Sequence, residues 1–298
     1  MDLQADTINE LFLQKMDSKE GMDKVAMAGS AFIRQKIREV SFARKIVNPE
    51  YVTQADCQRS VQHEGLVKII DIEPDSNATI INFRGEADTT YIAGERFEIP
   101  FFAVASDDFQ KTEEELLAYE MPLTDVIEKN SIKDIQKQED TAWMAKFEAA
   151  IAADSANQSL ATTLDSDGSI KKSSFVGLYD MLDGVELKTD VLLMNSKTFN
   201  KLLLYDATSV GDAIGSETYI NGFTYSTLFG RKLIVTNKVD LVGDAIYGFA
   251  AQEYIGKYFI LNDLKFWVDK KRNIITWGAY ETIGAGIGNT KSIVKITW

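Results

Sequence analysis

The sequence predicts an α+β protein, and three features lead to this prediction. Residues 123–154 contain neither Gly nor Pro and are rich in Ala, Glu, Gln, Lys and Ile, which favours one long helix. Residues 41–105 instead contain short extended runs separated by turn-forming residues. After residue 172, helix-like and strand-like segments alternate. The 298 residues suffice for two domains, since a typical domain has about 150.

The first forty residues predict two amphipathic helices. Apolar residues recur at helical spacings of three, four and seven, with charged residues between them. The two apolar sets are Ile8, Leu11 and Phe12, and Val25, Phe32, Ile33, Ile37 and Val40. Because helices this short are marginal by themselves, each needs another surface to cover its apolar side. That surface could belong to the same chain or to a neighbouring one.

Residues 41–105 predict ribbon and loop. Extended runs lie at residues 65–72, 78–83 and 97–104, and turn-forming residues separate them. All four prolines of the chain fall in its first half, where strand edges and turns tolerate them. The second half has no Pro to interrupt its elements.

The predicted long helix covers about residues 122–154. Pro122 suits its first turn, and the helix would be about 45 Å long. Its apolar positions, which include Trp143 and Phe147, form stripes that face more than one direction, so we interpret it as a spine. Beyond it the pattern predicts helices at 174–182 and 196–204 and strands at 191–194, 232–235, 245–250 and 292–298.

Composition excludes several classes of protein. A formal charge of −13 disfavours simple nucleic-acid binding, because phosphate would be repelled. The single Cys57 cannot form an intrachain disulfide, and acidic residues occupy the start of the chain, where a secretion signal needs basic and apolar ones. We therefore expect a reducing cytoplasm as the place of synthesis. The longest apolar run, at residues 97–105, is far shorter than the roughly 20 residues that cross a bilayer, so no membrane association is expected.

The glycine-rich segment at residues 284–288 invites a phosphate-loop interpretation. That motif needs Gly directly before Lys291, where Thr290 stands instead, and it needs a helix to follow. The dinucleotide pattern GxGxxG also fails, because Asn289 occupies the third glycine position. The expected structure is a glycine-rich turn between strands.

No metal or catalytic constellation stands out. Asp165 and Asp167 resemble part of a calcium loop but lack its later ligands, so a polar turn is expected. His63, the only His, could join only Cys57 and carboxylates at a spacing that matches no standard zinc site. Glu139 and Asp140 are adjacent on the predicted helix and suit salt bridging better than acid–base catalysis. We expect no enzyme activity, no catalytic residue, no cofactor and no metal.

The order of these parts resembles the major capsid protein of tailed double-stranded DNA bacteriophages, whose fold is shared with encapsulins. In the first half, the resemblance lies in the helical arm, the extended region ending in EIPFFAV at 98–104, the acidic TEEEL at 112–116 and the long helix with Glu139 and Asp140. In the second half, it lies in SFVGLYDML at 174–182, DVLLMNSKTF at 190–199, LFGRKLIVTN at 228–237 and IYGF at 246–249.

The resemblance implies a four-part organisation. Residues 1–41 would form an N-terminal arm and residues 42–98 an extended loop, the E-loop. Residues 99–173 and 266–298 would form a peripheral domain that holds the spine helix, and residues 174–265 an axial domain near the symmetry axis of a capsomer.

The resemblance also implies a function. The chain would self-assemble as hexamers and pentamers into an icosahedral shell that encloses phage DNA without sequence-specific binding, assembled in the host bacterial cytoplasm and present in the virion. Its partners would be copies of itself, a portal protein, a scaffolding protein and a decoration protein. About forty residues before the loop are too few for a built-in scaffolding segment, so the scaffolding protein is expected to be separate.

Subunit-interface residues are expected on three of these parts. They are Phe12, Phe32 and Ile37 on the arm, Arg84, Glu86 and Arg96 on the loop, and Trp143 and Phe147 on the spine. Two alternatives remain at this stage: an encapsulin-like shell around a cargo enzyme, and a soluble carboxylate-dependent enzyme.

Overall fold

One long helix packs against two mixed β-sheets. The computed structural model describes residues 22, 24, 41–60, 65–71, 80–81, 85–86, 89, 96–118, 123–202, 204, 227–228 and 230–298. The helices of this part of the chain are α1 Ala43–Ile46, α2 Glu113–Leu117, α3 Leu123–Ala153, α4 Ser155–Gln158, α5 Lys172–Asp183, α6 Ser196–Leu202, α7 Val239–Val242 and α8 Gln252–Ile255. None of them is long and apolar enough to cross a membrane.

The seven-stranded sheet has the order β1-β11-β12-β4-β3-β2, and β5 also pairs with β12. Its strands are β1 Pro49–Tyr51, β2 Gln58–Arg59, β3 Leu66–Asp71, β4 Arg96–Ala105, β5 Phe109–Thr112, β11 Gly256–Lys271 and β12 Ile274–Ile287. The long hairpin of β11 and β12 forms its centre, with register shifts between Ile260 and Lys265. The second half of β4 pairs with β12, whereas its first half pairs only with β3. The strands β2, β3 and β4 therefore extend away from the hairpin as a ribbon.

The six-stranded sheet has the order β6-β13-β10-β7-β9-β8. Its strands are β6 Ser159–Ala161, β7 Val191–Asn195, β8 Thr227–Leu228, β9 Arg231–Thr236, β10 Ala245–Phe249 and β13 Ile293–Thr297. The pairs β7–β9 and β6–β13 are parallel, and the others are antiparallel. Every residue of β7 and β10 is buried, which is typical of strands covered on both faces.

Two apolar clusters explain this burial. Alternate residues of a strand point to opposite faces, so Leu193 joins the cluster around α3, and Leu192 joins the cluster around α5. The cluster around α3 also contains residues of the long hairpin, such as Tyr258 and Trp277. The helix α3 thus shares one core with both sheets. The expected α+β class is confirmed, and α3 matches the predicted spine at both ends to within one residue.

The two sheets combine strands from different predicted parts of the chain. The strands at 159–161 and 293–297, expected in the peripheral part, lie in the six-stranded sheet with β7, β8, β9 and β10, which are expected in the axial part. The strand β11 begins at Gly256, ten residues before the predicted boundary, because it pairs along its length with β12. The assignment to arm, E-loop, peripheral and axial domains itself stays a prediction.

The glycine-rich segment is mostly strand, which corrects the expected turn. Gly284 and Gly286 lie inside β12, where β4 crosses closely. A Cβ atom on Gly286 would lie 2.6 Å from side-chain atoms of Ile99, and one on Gly284 would lie 2.9 Å from the ring of Phe101. These glycines therefore leave room for side chains of β4 to pack closely against β12. The turn expected at Asp165 is confirmed, since Gly168 N–H donates to the Asp165 carbonyl at 2.9 Å.

Candidate functional site

Residues 41–47 form a short buried segment, here called the strap, that lies against α3. The sequence SFARKIV has apolar side chains at Phe42, Ala43, Ile46 and Val47, each at most 2% exposed. These residues belong to the same apolar cluster as α3 and the long hairpin. The strap precedes β1 directly, so its position sets where the sheet begins and where residues 1–40 join the body of the chain.

Arg44 is the one charged residue of the strap that is buried. Its Nε lies 2.8 Å from Glu139 of α3, and its Nη2 lies 3.1 Å from Glu281 of β12. Both carboxylates are fully buried. Burial disfavours the guanidinium charge, yet the neighbouring acidic groups outweigh this effect and hold the pKa of Arg44 above its usual range. One side chain thereby ties the strap to the long helix and to the sheet.

Glu139 and Asp140 bind the strap from adjacent positions on α3. Glu139 Oε1 also accepts a hydrogen bond from the Tyr258 hydroxyl at 2.6 Å. Asp140 Oδ1 accepts from Ser41 Oγ at 2.9 Å and from the Ala43 N–H at 3.2 Å, and its Oδ2 pairs with Lys238. The prediction that these two carboxylates make salt bridges is confirmed.

The buried ion cluster, defined as Ser41, Arg44, Glu139, Asp140, Lys238, Tyr258 and Glu281, contains more carboxyl groups than cations. Burial first, and the charge of Glu139 second, raise the pKa of Glu281 to about 8, although Arg44 opposes this. Burial also raises the pKa of Asp140 against the opposing effect of Lys238. One oxygen of Glu139 and one of Glu281 are buried with no hydrogen-bond partner among the described residues.

The contacts of the buried ion cluster hold the strap, α3 and β12 in fixed positions relative to one another. Every carboxyl of the cluster is buried and contacts a cation of the same chain. Two surface depressions of about 480 and 470 Å³ are lined by residues 160–163, 171, 173 and 174 and by residues 48, 50, 251–253, 256 and 257, none of which belongs to the cluster. The described residues contain no group of three or more side chains placed to hold a metal ion.

Comparisons with solved structures identify the fold of the chain. The chain is similar to a capsid structure of cyanophage P-SCSP1u, with a TM-score of 0.62, 9% identity and coverage of 87% of this chain and 88% of that one. It is also similar to a chain of Microbacterium phage Oxtober96 (TM-score 0.61, 11% identity, 87% and 91% covered) and to the capsid of a native GTA particle (0.56, 16%, 87% and 90%). This chain has the phage capsid fold. No protein-family model and no curated protein sequence matches it.

Within the capsid fold, the expected interface residues fall into three groups. Phe12, Phe32, Ile37 and Arg84 lie outside the described residues. Glu86 is exposed, and Arg96 is an exposed residue at the start of β4 that pairs with Asp71 of β3 at 3.3 Å. These two positions are accessible to another subunit.

Trp143 and Phe147 lie instead in the core of the chain itself. Neither has exposed surface that a second subunit could contact. The Trp143 ring packs 5.3 Å from Tyr258 of β11, and the Phe147 ring packs 4.9 Å from Phe249 of β10. Their physical role is to join α3 to both sheets, because the apolar stripes of the helix are covered by strands of the same chain.

Sequence reasoning missed Arg44, Tyr258 and Glu281. Arg44 carries only a weak signal, since it lies among the apolar residues Phe42, Ala43, Ile46 and Val47, but the neighbouring Lys45 is charged as well. Tyr258 and Glu281 carry no such signal, because only the pairing of β11 with β12 and the packing of α3 bring them to Arg44. Cys57 is half-buried and donates to the Thr53 carbonyl at 3.4 Å, and His63 lies outside the described residues.

Proposed function

We propose that this chain is a major capsid protein that self-assembles through hexamers and pentamers into an icosahedral shell enclosing phage double-stranded DNA. The observation that carries the proposal is the similarity of fold over nearly nine tenths of this chain and of the capsid chains it resembles. A match of that extent on both sides covers most of the chain and most of each capsid chain.

The ribbon supports the proposal independently of the comparisons. Strand β4 alternates between exposed and more buried residues from Arg96 to Phe101, and as far as Pro100 only β3 pairs with it. Sheets that leave such strands open commonly pair or pack with another chain. Neighbouring copies would cover the ribbon in a shell, where many weak contacts act together. The charge of −13 per subunit would keep packaged DNA from adhering to the wall.

The partners and location follow from the same proposal. Copies of this chain are the principal partner, with a portal protein, a scaffolding protein and a decoration protein completing the particle. Assembly would take place in the host bacterial cytoplasm, and the product would be part of the virion. The chain would act as a structural protein without a catalytic site.

Negative-stain electron microscopy with light scattering on the purified chain tests this proposal. Closed polyhedral shells, or rings of five and six subunits, are the expected result. A particle that stays near the 33.3 kDa of one chain, even with a crowding agent or a scaffolding protein added, would contradict it. Particles that retain a cargo protein in place of nucleic acid would indicate a nanocompartment instead.

Charge reversal at Arg96 tests the ribbon as an interface. Arg96→Asp removes the pair with Asp71, and the double variant Arg96→Asp with Asp71→Arg restores an opposite-charge pair within the chain. If Arg96 contacts a neighbouring subunit, both variants lose shell formation while their circular dichroism and unfolding stay unchanged. Shells from the double variant alone would mean that Arg96 acts only within its own ribbon.

A further inference from the structure

The charges of the buried ion cluster do not balance. Glu139, Asp140 and Glu281 supply three carboxyl groups, while Arg44 and Lys238 supply two cations. An isolated ionised carboxylate inside a protein is strongly unfavourable, so a buried group of this kind tends to take up a proton. One proton on one carboxyl would make the cluster neutral.

Glu281 is the carboxyl best placed to hold that proton. It shares Arg44 with Glu139, which has the closer contact at 2.8 Å and a second donor in Tyr258. Asp140 has Lys238, Ser41 and the Ala43 N–H. The half-buried Asp263 of β11 adds another negative charge that disfavours ionised Glu281. The titratable groups that interact with Glu281 are Arg44 from the strap, Glu139 from α3, and Asp263 and Tyr258 from β11, while Asp140 and Lys238 complete the cluster.

We propose that Glu281 carries a proton in the closed cluster and that loss of this proton releases the strap from α3. Ionised Glu281 would compete with Glu139 for the single guanidinium and leave an uncompensated charge in the core. Opening lets water reach the carboxylate, so ionisation and opening are coupled. The strap lies between residues 1–40 and β1 in the sequence, so its release would loosen the point at which that segment joins β1.

The sign of the pH dependence follows from linkage. The closed chain keeps the proton on Glu281 up to a pKa of about 8, whereas an opened strap returns the carboxyl to an ordinary pKa near 4.5. The closed state therefore binds more protons than the open one between these values. Rising pH favours opening by up to about tenfold per pH unit over this range, and the effect levels off above it.

Hydrogen–deuterium exchange of the full chain tests the proposal, with Glu281→Gln as the principal variant. Gln has the shape of a protonated Glu and cannot ionise. The amides to follow are those of Ala43, Ile46 and Val47, which donate within the strap or to Asp140. At each pH, the exchange rate of an amide in the native chain is divided by its rate in the variant. This ratio removes the intrinsic pH dependence of amide exchange. Both chains are compared in the same state of assembly.

The expected ratio rises by up to about a hundredfold between pH 5.5 and 7.5. A ratio that stays constant across this range would overturn the proposal. Glu50→Gln is the matched control, because its carboxylate pairs with Lys257 at the surface and its ratio should stay constant. The same rise in the control would also overturn it.

A second variant keeps the test decisive if Glu281→Gln does not fold. Asp263→Asn removes a negative charge that disfavours ionised Glu281, so the pH at which strap exchange levels off should move downward. An unchanged profile would count against the proposal. The experiment reports on a single chain, so its result does not depend on whether the chain forms shells.

Discussion

Both sheets pack apolar side chains against the same long helix, but their polar links to that helix differ in burial. In the six-stranded sheet, β7 and β10 are buried at every residue and face α3 through apolar groups such as Leu193 and Phe249. Its main polar link to α3 joins Glu148 to Tyr247 and Lys295, and Glu148 is 43% exposed. In the seven-stranded sheet, the link passes through Arg44, Glu139 and Glu281, all of them buried.

The attachment of the six-stranded sheet to α3 therefore tolerates small shifts better than that of the seven-stranded sheet. Apolar burial is non-directional and does not change with pH, so the six-stranded sheet can adjust slightly without losing its hold on α3. Buried charges must meet their partners in good geometry or the cost of removing them from water is not recovered. The seven-stranded sheet and the strap are therefore held in one position, and that position responds to protons.

Arg44→Met should give the largest effect, because it leaves Glu139 and Glu281 buried without their shared cation. We expect a loss of about 3–5 kcal/mol in the free energy of unfolding at pH 7, measured by urea denaturation. Lys111→Met is the control, since the Lys111 side chain is 34% exposed and its pair with Glu115 spans 3.7 Å. A loss below about 1 kcal/mol for Arg44→Met would mean that the ion cluster does not hold the strap.

Leu193→Ala should weaken the apolar attachment by about 2–5 kcal/mol, since it leaves a cavity between β7 and α3. The loss relative to the native chain should be the same at pH 5.5 and 7.5, measured by urea denaturation at both. Leu192→Ala is the matched neighbour, equally buried but facing α5. A loss from Leu193→Ala that varies with pH would remove the contrast between the two sheets.

Gly286→Ala should cost about 1–3 kcal/mol, because the new methyl group would meet Ile99 at 2.6 Å and push β4 away from the hairpin. Thermal unfolding measures the loss. Gly288→Ala is the control, with no atom within 4 Å of the added Cβ. Equal stability of the two variants would show that β4 can shift away from β12 without a loss of stability.

Glu50→Gln should have the smallest effect, below about 1 kcal/mol, because the pair with Lys257 lies at the surface with both side chains about half exposed. The difference should also shrink in high salt, which screens exposed charges. Thermal unfolding at low and high ionic strength measures both. A larger effect that persists in high salt would mean that β1 stabilises the sheet more than its surface exposure indicates.

The elements that the sequence predicted well are those dominated by local pattern. The long helix has no internal Gly or Pro, and β7 and β10 are continuous apolar runs, so each was located to within a residue or two. The hairpin of β11 and β12 was not predicted, because its polar and apolar residues alternate irregularly around the register shifts near Asn262. The glycines of β12 indicated a turn. They are needed instead because side chains of β4, which is distant in sequence, pack closely against them.

The ion cluster was predictable only in part. Adjacent acidic residues on a helix indicated salt bridges at Glu139 and Asp140, and the structure confirms them. Their partners come from residues 41–44, 238, 258 and 281, and no local pattern relates these positions. The spine residues Trp143 and Phe147 were predicted from the stripes of the helix, but the pattern could not tell a neighbouring strand of the same chain from a second subunit.

Both sheets are completed by strands that leave the ribosome late. The hairpin of β11 and β12 forms the centre of one sheet, and β13 lies between β6 and β10 in the other. A ribosome adds about 5–20 residues each second, so β3, β4, β7 and β10 emerge before the strands that complete their sheets exist. Pairs such as Pro49 with Tyr258 and Ser159 with Lys295 can form only when translation has passed most of the chain. Neither sheet of a nascent chain is therefore complete until β11, β12 and β13 have emerged.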